Sequence, residues 1–194
     1  MDKLETGDIL LFNGKYFLSR IIEYFTNCNY SHVGIVLKDP TYIDPKLIGL
    51  YLLQSGEENF RDSEDNKFKI GVQISDLNKC LESYKGNVYY RKLNCNKDDR
   101  FYNNLIKIHD ITYDKPYDLN PIDWIKADLD IDIGKDQKTN TFWCSALAAY
   151  VYVKLGFLSK DIPWTLIKPF DFSCKSNKLK FKNCCLDDEK LLEL

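Results

Sequence analysis

Two kinds of apolar spacing divide the chain. Ile9-Leu10-Leu11-Phe12 is a short unbroken apolar run after Gly7-Asp8, and Asn13-Gly14 follows as a turn, which predicts a strand. Tyr30-Ser31-His32-Val33-Gly34-Ile35-Val36-Leu37 is rich in β-branched residues. Its alternation sets Val33, Ile35 and Leu37 on one face and His32, Gly34 and Val36 on the other. Tyr51 to Gly56, with Leu52 and Gln54 sharing a face, and Gly71 to Ile74 predict two further strands, and Val88 to Leu93 another.

Helical spacing appears in four places. Lys15 to Thr26 carries Phe17, Ile21, Tyr24 and Phe25; Asp76 to Tyr84 follows Ser75, a capping residue; Asp98-Asp99 opens a helix to about Ile111, with Phe101, Leu105 and Ile108 inward. The fourth starts at Cys144. From there to Leu158 the one charge is Lys154, Leu147, Tyr150, Val151 and Leu155 recur at helical spacing, and Gly156 is the stop. A helix apolar nearly all round is a buried one. Strands first, helices between them and one late buried helix predict an α+β fold, a largely antiparallel sheet packed on a central helix. Residues 173–194, lysine-rich and then acidic, read as a peripheral tail.

Composition narrows the function classes. The 194 residues suit one domain, and a net charge of −2 provides no basic field for nucleic acid. No apolar run approaches the length of a membrane span, which is compatible with at most peripheral membrane contact. Seven cysteines, an odd number without an apolar leader at Met1-Asp2-Lys3-Leu4-Glu5, predict reduced thiols in a cytoplasmic compartment. Cys174 and Cys184-Cys185 lack zinc-site spacing. Asp128-Leu129-Asp130-Ile131-Asp132-Ile133-Gly134 has Ile133 where a calcium loop needs its glycine and Thr139 where it needs glutamate. Neither a metal nor a cofactor is expected.

Cys144 stands where backbone N–H groups lack helical partners and the macrodipole is positive. A thiolate there is stabilised and its pKa lowered. A free cysteine is more often a small buried hydrophobe, so the thiol needs a base and an orienter before it reads as a nucleophile. Of two histidines, His109 lies on a helix and reads as structural. His32 opens an apolar strand beside Gly34 and reads equally as a base or as a core histidine. Gln54 is an amide among Leu52, Leu53, Ser55 and Gly56, suited to hold a histidine N–H.

Gly7-Asp8-Ile9-Leu10, Ser31-His32-Val33-Gly34-Ile35, Leu53-Gln54-Ser55, Gly71-Val72-Gln73-Ile74, Lys115-Pro116-Tyr117-Asp118 and Trp143-Cys144-Ser145-Ala146-Leu147 occur in the order and spacing of a known pattern. Over residues 4–172 the chain resembles the circularly permuted NlpC/P60 papain-like superfamily, which includes YiiX/YaeF-like proteins and a poxvirus branch. The resemblance implies a permuted papain-like domain with Cys144 as nucleophile, His32 as general base and Gln54 as orienter. Gln54 departs from the Glu of many relatives. Tyr117 and Ser145 would border the oxyanion or substrate-binding position, although the residues after Tyr117 depart from the family's glycine. The implied activity is that of a cysteine hydrolase or acyltransferase on an amide, ester or thioester, with a small-molecule, lipid or peptide acyl substrate. Lipid- or protein-linked acyl groups are favoured over peptide or cell-wall amides. A binding or host-interaction module on the same scaffold is the competing class, and a thiol redox protein, lacking a CxxC pair, ranks lowest.

Overall fold

The computed structural model describes residues 3–14, 30–56, 60–118 and 139–193. The helix expected over 15–26 and the aspartate-rich stretch before Thr139 lie outside them. Among the described residues, strands β1 (Ile9–Gly14), β2 (His32–Lys38), β3 (Leu50–Gly56), β4 (Gly71–Asp76), β5 (Gly86–Arg91) and β8 (Lys190–Leu191) form one sheet in the order β4-β3-β2-β1-β5-β8. Every pairing in it is antiparallel. Helices α1 (Leu77–Ser83), α2 (Asp99–Thr112) and α3 (Cys144–Lys154) accompany it, and β6 (Leu93–Asn94) pairs with β7 (Cys185–Leu186). This is a mixed α+β domain with an antiparallel sheet.

The unbroken apolar run of β1 has a simple cause: both faces of the strand are covered. Ile9 and Leu11 join Val33, Ile35, Leu53, Ile74 and the residues of α3 in the larger core. Leu10 and Phe12 join Val36, Leu52, Leu77, Leu81 and Leu192 in a second core on the opposite face. Asp8 makes this entry possible. Its buried carboxylate accepts from the backbone N–H of Leu93 (2.9 Å) and of Glu5 (2.9 Å), so a charged side chain inside the domain is hydrogen-bonded.

Helix α3 packs on β2 and β3, and every residue from Cys144 to Val153 is buried. Its apolar character all round follows from that position. Helix α1 starts one residue later than expected. Asp76, not Ser75, is the cap, accepting from Asn78 N (3.0 Å) and Lys79 N (3.3 Å). Ser75 stays in β4, fully buried.

Within the 173–194 segment, read from sequence as a peripheral tail, Lys190–Leu191 joins the sheet. β8 adds the edge strand beside β5, and Leu192 is buried in the second core. Arg91 fastens the approach by donating to the carbonyls of Asp187 (2.6 Å), Phe172 (2.7 Å) and Leu186 (3.0 Å). Glu189 accepts from Tyr30 Oη (2.9 Å) and Ser173 Oγ (2.7 Å). A two-residue strand with no periodicity is invisible to pattern reading.

Gly71 sets the other edge. Its φ is +153°, and a Cβ there would collide with the Lys115 carbonyl oxygen. That close approach lets Val72 N donate to Lys115 O (2.8 Å) and Tyr117 N to Ile70 O (3.0 Å). Gly71→Ala is expected to cost about 1–3 kcal/mol from backbone strain alone, read as a lower urea midpoint at unchanged m. An unaltered midpoint would mean that the 115–117 segment does not press on β4.

Candidate functional site

Of the residues singled out from sequence, His32 and Gln54 meet at one end of β2 and β3, and the Cys144 thiol reaches the adjoining β2 backbone at Val33. The ladder between these strands runs from Lys38↔Leu50 to Ile35↔Leu53 and ends there. Past that point the chain leading into α3 takes up the hydrogen bonds. Ser55 Oγ donates to Phe142 O (2.6 Å), and the backbone N–H of Val33 is directed to the Cys144 sulfur. The thiol therefore lies against the β2 backbone one residue from His32.

His32 stands on the face of Phe12, its ring centroid 5.4 Å away. Its Nε2–H donates to Gln54 Oε1 at 2.7 Å. Gln54 Nε2 in turn donates to Ser75 Oγ at 2.9 Å, and the Ser75 hydroxyl is directed to the Cys80 sulfur. With its proton used toward Cys80, Ser75 Oγ has lone pairs to offer the amide, which fixes Gln54 with its oxygen toward His32. The proton on Nε2 leaves Nδ1 as the basic nitrogen. Gly56 lies beside this pair; a Cβ there would make ordinary contact with His32 Cε1 at 3.6 Å. The expected pairing of Gln54 with His32 is present. Ser75 is a member of the chain that sequence reading treated as a helix cap.

Tyr117 is buried in the same core as Cys144. It lies on a segment bonded to the entrance of α3, with Phe142 N donating to Pro116 O (3.1 Å) and Asp118 N to Phe142 O (3.3 Å). Ser145 is buried too, and its hydroxyl donates to Ile167 O (2.6 Å), which ties the first turn of α3 to a following 3-10 turn (Trp164–Leu166). His109 is elsewhere: its Nε2 donates to Glu64 at 3.0 Å, a structural contact between α2 and the loop before β4.

The electrostatics correct one expectation. The start of α3 was expected to lower the Cys144 pKa. Burial instead pushes the thiol up to about 11, and the N–H groups of Val33, Ser145 and Cys144 itself offset that only in part. Burial also pushes His32 down to about 4, against the opposing effect of its bond to Gln54. Desolvation exceeds the dipole because the sulfur is almost fully enclosed, and removal from water disfavours whichever form is charged. At neutral pH the site holds a neutral thiol and a neutral imidazole.

A stability prediction follows from His32. Its folded pKa lies below the unfolded value of 6.5, so below pH 6.5 the unfolded chain takes up a proton that the folded chain refuses. Stability falls as pH drops from about 6.5 to about 4, by about 3 kcal/mol in all for this residue. The difference between the pH-stability curves of wild type and His32→Asn isolates the effect. Parallel curves through that window would contradict the burial of the imidazole.

The chain matches no protein-family model and no curated protein. Among solved structures its fold is that of a YiiX-like protein. The crystal structure of the metalloprotein YiiX from Escherichia coli O157:H7 superposes with a TM-score of 0.53 at 16% identity, covering 96% of this chain and 97% of that one. At that identity the likeness is one of fold, and it agrees with the YiiX-like resemblance carried by the motifs. Among the described residues no three His, Cys, Asp or Glu side chains cluster as metal ligands. No helix among them is long and apolar enough to cross a membrane.

Proposed function

We propose that this protein is a cysteine-dependent acyl-transfer enzyme on a circularly permuted papain-like scaffold. Cys144 is the nucleophile, His32 the general base and Gln54 the residue that orients His32. The observation that carries this reading is the 2.7 Å bond from His32 Nε2 to Gln54 Oε1, beside the point where the Cys144 thiol meets the Val33 N–H. It supports the base–orienter half of a nucleophile–base–orienter set.

His32 Nδ1 takes the thiol proton as sulfur attacks the acyl carbon, and the carbonyl π electrons move onto oxygen. The Cys144 backbone N–H at the start of α3 faces that oxyanion, with Tyr117 on the neighbouring segment. The imidazolium returns its proton to the departing alcohol, amine or thiol, leaving an acyl-enzyme that water or another acceptor resolves. Since both partners start neutral, the proton moves during attack and no ion pair precedes it. The apolar surroundings suit an acyl group carried by a lipid or protein; a peptide amide is the alternative substrate.

The test is intact-mass analysis after incubation with p-nitrophenyl acyl esters of graded chain length. One acyl group should appear on Cys144, with one equivalent of nitrophenolate released in a burst. His32→Ala should slow acylation by about 10²–10⁴-fold, and Cys144→Ala should abolish the adduct. The elevated thiol pKa favours a second reading, a binding module on the same scaffold. That reading is supported if acylation falls on exposed Cys174 and Cys185 and spares Cys144.

A further inference from the structure

Cys95 and Cys184 have no part in the site above, yet they flank the paired strands β6 and β7 and pack against the same core. We propose that they form a second thiol site, a cross-strand dithiol that a low-molecular-weight disulfide converts to an internal disulfide.

The argument is one of register. β6 and β7 pair antiparallel with Leu93 opposite Leu186 and Asn94 opposite Cys185. Cys95 directly follows β6 and Cys184 directly precedes β7, so continuing that register by one residue past the strand ends brings them opposite. Asp187 N donates to Lys92 O at 2.9 Å, which marks Lys92 and Asp187 as a hydrogen-bonded pair. Antiparallel ladders alternate, so Asn94 with Cys185 is again of that kind, whereas Leu93 with Leu186 and Cys95 with Cys184 are non-hydrogen-bonded pairs. Cα atoms in such pairs lie about 4.5 Å apart, with the side chains at their closest. A disulfide needs a Cα separation of roughly 4.4–6.8 Å.

Facing agrees with spacing. Side chains alternate along a strand, so Cys95 shares the face of Leu93, and Cys184 that of Leu186. Both leucines are buried, and both cysteines pack partly buried against the main core. Asn94 and Cys185 point the other way and are exposed, with Asn94 Nδ2 3.9 Å from Cys185 Sγ. Burial first, and then the neighbouring Cys95 sulfur, pushes the Cys184 thiol up to about 12. Burial also raises Cys95; the Lys97 ammonium favours its thiolate, and the Asp8 and Asp98 carboxylates oppose it.

Cys95, the thiol beside Lys97, is assigned the attacking role. The Cys95 thiolate attacks one sulfur of glutathione disulfide and expels one glutathione thiolate, giving a mixed disulfide. Cys184 gives its proton to solvent and attacks the Cys95 sulfur, expelling the second glutathione. The two protein thiols lose two protons and two electrons, and glutathione disulfide becomes two glutathiones. The second step is intramolecular between groups already opposed, so it outruns capture by a second oxidant. The bond fastens β7 to β6 and keeps the following β8 on the sheet edge.

The experiment treats the native full-length chain with glutathione disulfide and reads intact mass, peptide linkage and thermal midpoint. The expected product is lighter than the reduced protein by about 2 Da, contains a Cys95–Cys184 linked peptide and melts at a higher temperature. Cys184→Ser should stop at a single glutathione adduct on Cys95, and Cys185→Ser should leave the linkage unchanged. The proposal is overturned if wild-type protein retains the mixed disulfide, if the bond goes to Cys185 or Cys174, or if linkage requires denaturant.

Discussion

Gln54→Glu is expected to raise the His32 pKa from about 4 toward its ordinary value, so that a fraction of the ring is imidazolium near neutral pH. In the wild type, an amide oxygen 2.7 Å from Nε2 raises the His32 pKa too little to offset burial, and the value stays at about 4. A carboxylate in the same place brings a full negative charge into contact distance. An opposite charge that close typically moves a pKa by 1–3 units, roughly the size of the present depression. The Ser75 hydroxyl, which now accepts from the amide, would turn to donate to the carboxylate and help keep it ionised. A titration of the His32 ring by NMR should therefore find its pKa raised by about 2 units or more. The pH-linked loss of stability shrinks with it. A folded pKa brought up from about 4 toward 6.5 shrinks the proton uptake that favours the unfolded chain, so less stability is lost below pH 6.5 than in the wild type. Cys144 should respond as well. An imidazolium one residue from the N–H that meets the sulfur lowers the cost of the thiolate, so iodoacetamide alkylation of Cys144 at pH 7 should quicken by about tenfold, the equivalent of one pKa unit. Should His32 stay near 4, the introduced Glu is protonated and burial dominates both partners.

The same residues show what a linear pattern carries. The uncharged run of α3, the alternation around His32 and the capped start of α2 were legible because each depends on neighbours within a few positions. Gln54 was legible as an oddity, an amide on an apolar strand suited to a histidine N–H, and it bonds His32, two positions along β2 from Gly34, which the antiparallel register, continued by one residue, sets opposite Gln54. Ser75 was not legible in its real role. Ser75 and Asp76 are both good caps, and only the packing of β4 on β3 decides that the serine stays in the strand. Position could tell that Cys144 begins a helix, but it could not tell how deeply the helix is enclosed, and enclosure decides the direction of the pKa. The place of β5 beside β1, the edge strand β8 and the opposition of Cys95 and Cys184 all arise from register between distant segments. No local spacing encodes that.

Tyr152→Ala is expected to remove much of the stability that holds the Cys144 helix in place. Tyr152 is fully buried near the far end of α3. Its ring lies 6.3 Å from that of Phe157, 6.1 Å from Phe172 and 5.5 Å from Phe181, so one side chain joins the helix to three later segments. Its hydroxyl donates to Gly7 O at 2.6 Å, which joins the helix to the turn that opens β1. Truncating a buried aromatic costs about 3–5 kcal/mol, a large part of the 5–15 kcal/mol that ordinarily separates folded from unfolded domains. Urea unfolding should show that loss. Tyr152→Phe keeps the ring and deletes the hydroxyl, leaving the Gly7 carbonyl without this partner, at a cost of about 1–2 kcal/mol. The pair of variants separates anchoring from chemistry. Cys144 lies two turns away at the other end of the helix, so the Phe variant, still folded, should acylate at the wild-type rate. If it instead loses acylation with little loss of stability, Tyr152 communicates with the thiol through the helix and does more than anchor it.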